Sequence, residues 1–256
     1  MPRSYAFHRD MLTLKQPNHL LPDDRIIEPD KKLIEQLNAS LDRLNALRAV
    51  EINVSEHFAR SKLAWKLVTY QHVLLHRIVA LVDGVALAWN HRCTLPAMLA
   101  ARAFMETFAV MAELEDSVGR LLAQQDLGSL DTLAQCGIFA SRDPEWIKEY
   151  PQLAAINVLT YIDKFDKRAS GFRGLYDILS ERCHPNSLSH NFMFGELNRS
   201  DGSLRFHDER DPAGNAQMVL AALAPLPLVD SMMARLDETI LEVADLQHRL
   251  EPVGDA

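Results

Sequence analysis

The sequence predicts an all-α helical bundle carrying one small β-hairpin in its C-terminal third. Three observations point there. Two long apolar runs, Val73 to Trp89 and Leu95 to Leu114, are too long for strands; Ile34, Leu37, Leu41 and Leu44 recur at three and four residues, the period of one helix face; and only one stretch, around Asn198 to Gly202, joins two alternating segments through turn residues. With 256 residues, 48% hydrophobic and 24% charged, the chain has the proportions of an ordinary folded protein and is long enough for one sizeable core.

The elements follow in order. Residues 1–28 hold Pro2, Pro17 and Pro22 among polar residues, with Pro29 directly after, and read as an extended arm. From 29 to 250 we expect a single domain, followed by a short tail at 251–256. The Ile34 to Leu44 seam spans too few heptads for a coiled coil and fits bundle packing, while its narrowness also suggests a contact with a second copy of the chain. A long helix runs from near Ser55 to Asn90, where Ser55 and Phe58 make an incomplete capping box and Gly84 is a candidate kink. Thr94, with Pro96 close behind, opens the next helix, which continues to about Gln125. Ser129 to Phe139 follows, then a loop at Ser141 to Pro144, a helix from Ala154 to Lys167, and another from Phe172 to Cys183 that Pro185 brings to an end. Asn191 to Leu197 and Ser203 to His207 form the predicted hairpin, within 191–208. Gly214 to Leu250 completes the bundle, broken or kinked at Pro225 and Pro227.

Composition narrows the function. Twenty-seven Lys and Arg against 35 Asp and Glu give a net charge of −8, which argues against a broad nucleic-acid footprint but allows a local basic pocket. Cys93, Cys136 and Cys183 are too widely spaced for a disulfide framework or a zinc site. The arm contains no apolar stretch of signal-peptide length, and both apolar runs carry charges that lipid would hold only at high cost, His76, Arg77 and Asp83 in one, Arg102, Glu106 and Glu113 in the other. A cytoplasmic protein that does not enter a membrane is therefore expected. Dinucleotide, P-loop, serine-hydrolase and HExxH signatures are missing, and no cofactor is indicated.

Two places could carry chemistry. Arg102 and Glu106 are four apart on a helix otherwise almost wholly apolar, so they share a face in the core or in a cleft, either as a structural ion pair or as a cation oriented for an anionic ligand. Tyr176, Ser180 and His184 recur at four along the next candidate face, followed by Pro185 and Asn186; His184 is either a helix C-cap or part of a site. His190 and Glu181 lie beside this stripe. Glu181-x-x-His184, with Asp245-x-x-His248, Glu106 and Glu113, also has the spacing of a di-metal carboxylate bundle. His72 and His76 share a helix face and read as a solvated or capped pair. Lys164, Lys167, Arg168 and Arg173 add positive charge, interleaved with Asp163, Asp166 and Asp177.

The segment Tyr176-x-x-Leu179-Ser180-Glu181-x-x-His184-Pro185-Asn186, downstream of Ala101-Arg102-Ala103-Phe104-Met105-Glu106, resembles uncharacterised bacterial helical proteins grouped as domains of unknown function. More remotely, the chain is similar to the HEPN superfamily, many of whose members are metal-independent ribonucleases of defence and toxin systems. The family motif is an arginine, four to six residues, and a histidine; here Arg182 and His190 are separated by seven, and the match at Arg3 and His8 lies in the arm. The resemblance implies a homodimer that engages RNA or a nucleotide, with Arg102, Glu106 and His184 as catalytic candidates and Tyr176, Ser180, Glu181, Asn186 and His190 binding the ligand. The other readings are a non-catalytic protein-interaction module and the di-metal protein.

Overall fold

A computed structural model of the chain describes residues 14–53 and 61–250. Among these, helices predominate: α1 (Glu28–Leu47), α2 (Lys62–Asn90), α3 (Thr94–Ala123), α4 (Leu127–Phe139), α5 (Pro144–Glu149), α6 (Val158–Asp166), α7 (Phe172–Cys183), α8 (Ser187–Phe194), α9 (Pro212–Leu223) and α10 (Leu226–Leu250). The one described sheet is an antiparallel pair, β1 (Gly195–Leu197) and β2 (Leu204–Phe206), with Glu196 opposite Arg205 and Leu197 opposite Leu204. The all-α class with a small hairpin is therefore the fold.

The pattern of apolar residues dictates the layering. α3 is apolar nearly all round and accordingly lies at the centre, packed by α2, α4, α6, α7, α9 and α10. Phe104 and Phe108 on α3 are fully buried, and Phe108 meets Phe165 of α6 edge-on at 4.9 Å while Phe165 meets Phe172 of α7 at 4.7 Å, which fixes both short helices on the central one. The narrow seam of α1 is buried against α2, α9 and α10 within the chain. It is thereby removed as a surface for a second copy, since its leucines already have partners.

Residues 14–27 do not leave the domain. Asp83 accepts hydrogen bonds from the Asn18 backbone and side chain, both at 2.7 Å, Asn38 exchanges two with the backbone of Leu20, and Trp89 Nε1 donates to the Leu21 carbonyl at 2.8 Å. Arg25 closes the strap: its guanidinium lies 4.3 Å from the centroid of the Trp89 ring and donates to the Trp89 carbonyl at 2.8 Å. The remainder of the arm, including Arg3 and His8, and the tail 251–256 lie outside the described residues, as does the expected start at Ser55.

Several boundaries differ from the sequence expectation, each for a local reason. Within the described residues α2 is capped by Ser61, whose hydroxyl accepts from the Ala64 N–H, and it passes through Gly84 without a break. The helix expected from Ala154 begins only at Val158, because Ser141 pairs with the Leu153–Ala155 backbone and holds it extended until Asn157 caps α6. The loop expected at Ser141 to Pro144 is followed by the short α5, whose amides Asp143 caps. Asn191 to Phe194, expected as strand, is helix: the Asn186 side chain accepts from the N–H groups of Leu188 and Ser189 and starts α8, leaving three residues on each strand. At Pro225 the chain breaks into α9 and α10, and Pro227 sits in the first turn of the second, where a missing N–H costs nothing.

By length and composition Lys62–Asn90, Thr94–Ala123 and Pro212–Leu250 could each cross a membrane, although about half of the most apolar window of each is already buried inside the protein.

Candidate functional site

The candidate site is built where α3, α7 and the start of α6 converge. Phe172 and Leu179 pack α7 into the core, and the same helix face carries Tyr176 and Ser180 one and two turns apart, with His184 at its end. Gly171, in the left-handed conformation at φ 98°, turns the chain sharply between α6 and α7, so the two helices flank one groove.

Arg102, Tyr176 and Glu106 form a closed triangle. The Tyr176 hydroxyl donates to Glu106 Oε1 at 2.8 Å and accepts from Arg102 at 3.2 Å, and the Arg102 and Glu106 charges are 3.4 Å apart. The guanidinium also lies 5.5 Å from the Tyr176 ring centroid. Each charged side chain remains about a quarter exposed, so the ion pair alone is worth little, whereas the tyrosine, 2% exposed, supplies the rigid element. Burial works against the Arg102 charge, but the Tyr176 hydrogen bond and the Glu106 carboxylate outweigh it and hold the guanidinium above its ordinary pKa. Burial raises Tyr176, which donates rather than ionises, and pushes the neighbouring Cys183 thiol up to about 11, making it a poor nucleophile.

Ser180 Oγ and Arg102 Nε are buried with no hydrogen-bond partner among the described residues. An unpaired buried polar atom costs about 1–3 kcal/mol unless something satisfies it. His184 ends α7: its N–H donates to the Ser180 carbonyl, its own carbonyl takes the Ser189 hydroxyl, and its residue is exposed with the imidazole at the groove. The helix is thus finished by the backbone of this segment, and the ring is left over.

Among the sequence candidates, Arg102, Tyr176, Ser180, Glu181 and His184 line one groove of about 460 Å³. Glu106 stands behind Tyr176. Asn186 has a structural task, capping α8 and donating to Glu181 at 2.7 Å. His190 is exposed on α8 and is not part of the groove lining. Sequence reasoning missed Arg142 and Asn157, which enter because the Ser141 bridge folds their loops over α7, and it did not place Arg173 at this groove. Arg173 is neutralised by Asp163 and Asp177, but the Arg142 side chain has neither a hydrogen bond nor an ion pair among the described residues. No local pattern marks Arg142; only the bridge brings it here.

The di-metal arrangement is not assembled. Among the described residues no three His, Cys, Asp or Glu side chains come together as a metal would require; Glu113 is taken by Lys164 and Ser117, and Glu181 by Asn186. The His72–His76 pair is also not solvated: His72 is buried, its Nδ1 accepting from the Ala49 N–H, while His76 Nε2 donates to the Ala49 carbonyl.

No protein-family model, curated protein or solved structure matches this chain.

Proposed function

We propose that the groove between α3, α6 and α7 engages the phosphate groups of RNA or a nucleotide, and that the protein is a cytoplasmic, HEPN-like component of a bacterial defence or stress pathway. One observation carries this reading: Arg102 and His184, distant in sequence, line a single groove together with the unpaired Arg142. A phosphodiester needs cations for its charge, and Arg102 and Arg142 supply them. Strand cleavage would also need a base for the 2′-hydroxyl proton, and the exposed imidazole of His184 is our candidate for it. Glu106 touches Arg102 through the ion pair rather than the open groove, and Tyr176, which lines the groove, holds both of them through its hydroxyl; the two act as positioning residues.

The test uses purified, chelator-treated protein and a mixed RNA pool, scored for retention and cleavage. Wild type is expected to retain RNA. Arg142→Ala, which removes an exposed side chain with no partner, should weaken retention at least tenfold without altering the fold, and Arg102→Ala should do so more strongly. His184→Ala should abolish cleavage and leave thermal stability unchanged. A wild-type protein that neither retains nor cuts RNA, and binds no mononucleotide at this groove, overturns the proposal.

A second reading, a non-catalytic interaction module, is favoured by the hairpin: Leu197, Leu204 and Phe206 lie on one of its faces and are exposed. Its occupant under this reading is a second copy of the chain.

A further inference from the structure

On the other flank of α6, away from the groove, a separate cleft of about 310 Å³ opens between α6 and α3. Two strips of residues make it. On α3, Ala109, Ala112, Asp116 and Arg120 recur at three and four; on α6, Tyr161 and Lys164 share a face, and Lys167 and Arg168 follow in the turn that ends the helix, so both elements turn toward the gap. The alanines leave the hollow, because a methyl side chain cannot reach across to α6, and Phe165, anchored in the aromatic cluster, closes the floor.

The charge in this cleft reverses that of the whole chain. Arg120, Lys164, Lys167 and Arg168 line it against only Glu113 and Asp116, in a protein whose net charge is −8. Three of the four cations are uncommitted or loosely held. Among the described residues the Lys167 side chain has neither a hydrogen bond nor an ion pair, and the Arg120 side chain makes only a 3.5 Å contact to Ser117 Oγ. Arg168 stands 3.8 Å from Glu115 and 3.9 Å from Asp116, outside hydrogen-bond distance of both, and its one hydrogen bond among the described residues is a 3.3 Å contact to the Ala112 carbonyl, while Glu115 is already hydrogen-bonded by Arg235. Lys164 alone is tightly paired, at 2.6 Å to Glu113. Like charges collected around a hollow repel one another, and a dianion with several acceptor oxygens is the ligand that relieves them while taking several charge-assisted hydrogen bonds. One turn before Lys164 on α6, the half-buried ring of Tyr161 adds an apolar face to the lining beside the cations.

We propose that this cleft is a second, independent binding site for a small phosphate monoester carrying a planar ring, of the size of a nucleoside monophosphate. Arg120, Lys167 and Arg168 hold the phosphate and the Tyr161 ring packs against the planar group. The volume lies at the small end of the range for such sites, which suits one nucleotide and excludes a folded polymer. The assignment does not depend on what occupies the groove on the other side of α6.

Calorimetric titration with AMP, adenosine and inorganic phosphate tests it. Wild type should bind AMP, with adenosine at least tenfold weaker because it lacks the dianion, and phosphate at least tenfold weaker because it lacks the ring. The double variant Arg120→Glu/Lys167→Glu, which alters two exposed side chains, should weaken AMP at least tenfold with an unchanged unfolding midpoint, and Arg142→Ala should bind AMP as wild type does. No AMP binding at about 1 mM, or binding indifferent to the double variant, overturns the proposal. So does loss of AMP binding in Arg142→Ala, since that places the nucleotide in the groove. Phosphate binding as tightly as AMP overturns the part assigned to Tyr161.

Discussion

At Ala49 two imidazoles hold one short stretch of backbone, His72 accepting from its N–H and His76 donating to its carbonyl. The geometry requires a bare lone pair on His72 Nδ1, and burial, with His76 as a smaller influence, pushes its pKa down to about 4, against about 6.5 in an unfolded chain. The unfolded state therefore binds the proton more readily. Stability from this group is complete above about pH 6.5 and is lost as the pH falls toward 4, by about 3 kcal/mol at most. Urea midpoints near pH 7 and near pH 4.5 should diverge strongly for wild type and much less for His72→Gln, which keeps an acceptor but cannot titrate. Equal divergence in the two proteins would remove His72 as the cause. The i, i+4 spacing of these histidines was legible; their burial was not, because the segment that covers them is remote in sequence and has no periodicity of its own. Tyr176, Ser180 and His184 were legible for the same reason of spacing, whereas Arg142 reaches them only through a tertiary bridge.

Elements with a long apolar period could be read directly, and those set by a single polar contact could not. α3 and α7 lie within a few residues of the boundaries that Thr94, Pro96 and Pro185 predict. α5, α8 and the delayed start of α6 depend on Asp143, Asn186 and the Ser141 pairing, signals one residue wide that compete with equally plausible turns. The junction of α4 with α2 offers a sharp test of packing at this scale. A methyl group added at Gly137 would fall 2.1 Å from the ring of Tyr70, itself half buried between the helices. Gly137→Ala should therefore destabilise the protein by about 1–3 kcal/mol, the usual cost of overfilling a packed contact, despite alanine's better helix propensity. Chemical denaturation measures it; a neutral or stabilising effect would mean that Tyr70 swings aside freely. The double variant Gly137→Ala/Tyr70→Ala should regain much of the clash penalty while losing the ring's own packing.

For the whole molecule, fold class was readable because one apolar helix, α3, demanded to be surrounded. Assembly was not, since the seam of α1 that resembled a contact between chains is filled from within by α2, α9 and α10. The hairpin is an apolar surface still open among the described residues: Phe206 is 74% exposed and Leu197 59%. A two-stranded sheet is marginal without cover on its apolar face. Sedimentation at increasing concentration should show a dimer that Phe206→Ser/Leu197→Ser converts to monomer. A wild type that stays monomeric throughout rules out the second copy as partner of this face.

The strap of residues 14–27 has a consequence for the order of events during synthesis. It is made before every surface it rests on: Asn38 follows by about a helix length, but Asp83, Trp89 and Asn90 emerge from the ribosome only after α1 and nearly all of α2 have been translated. Until then Leu20, buried in the finished core, has nowhere to go. The segment that comes early in the chain is thus a late arrival in its final place, and its docking reports that α2 has been completed to its last turn.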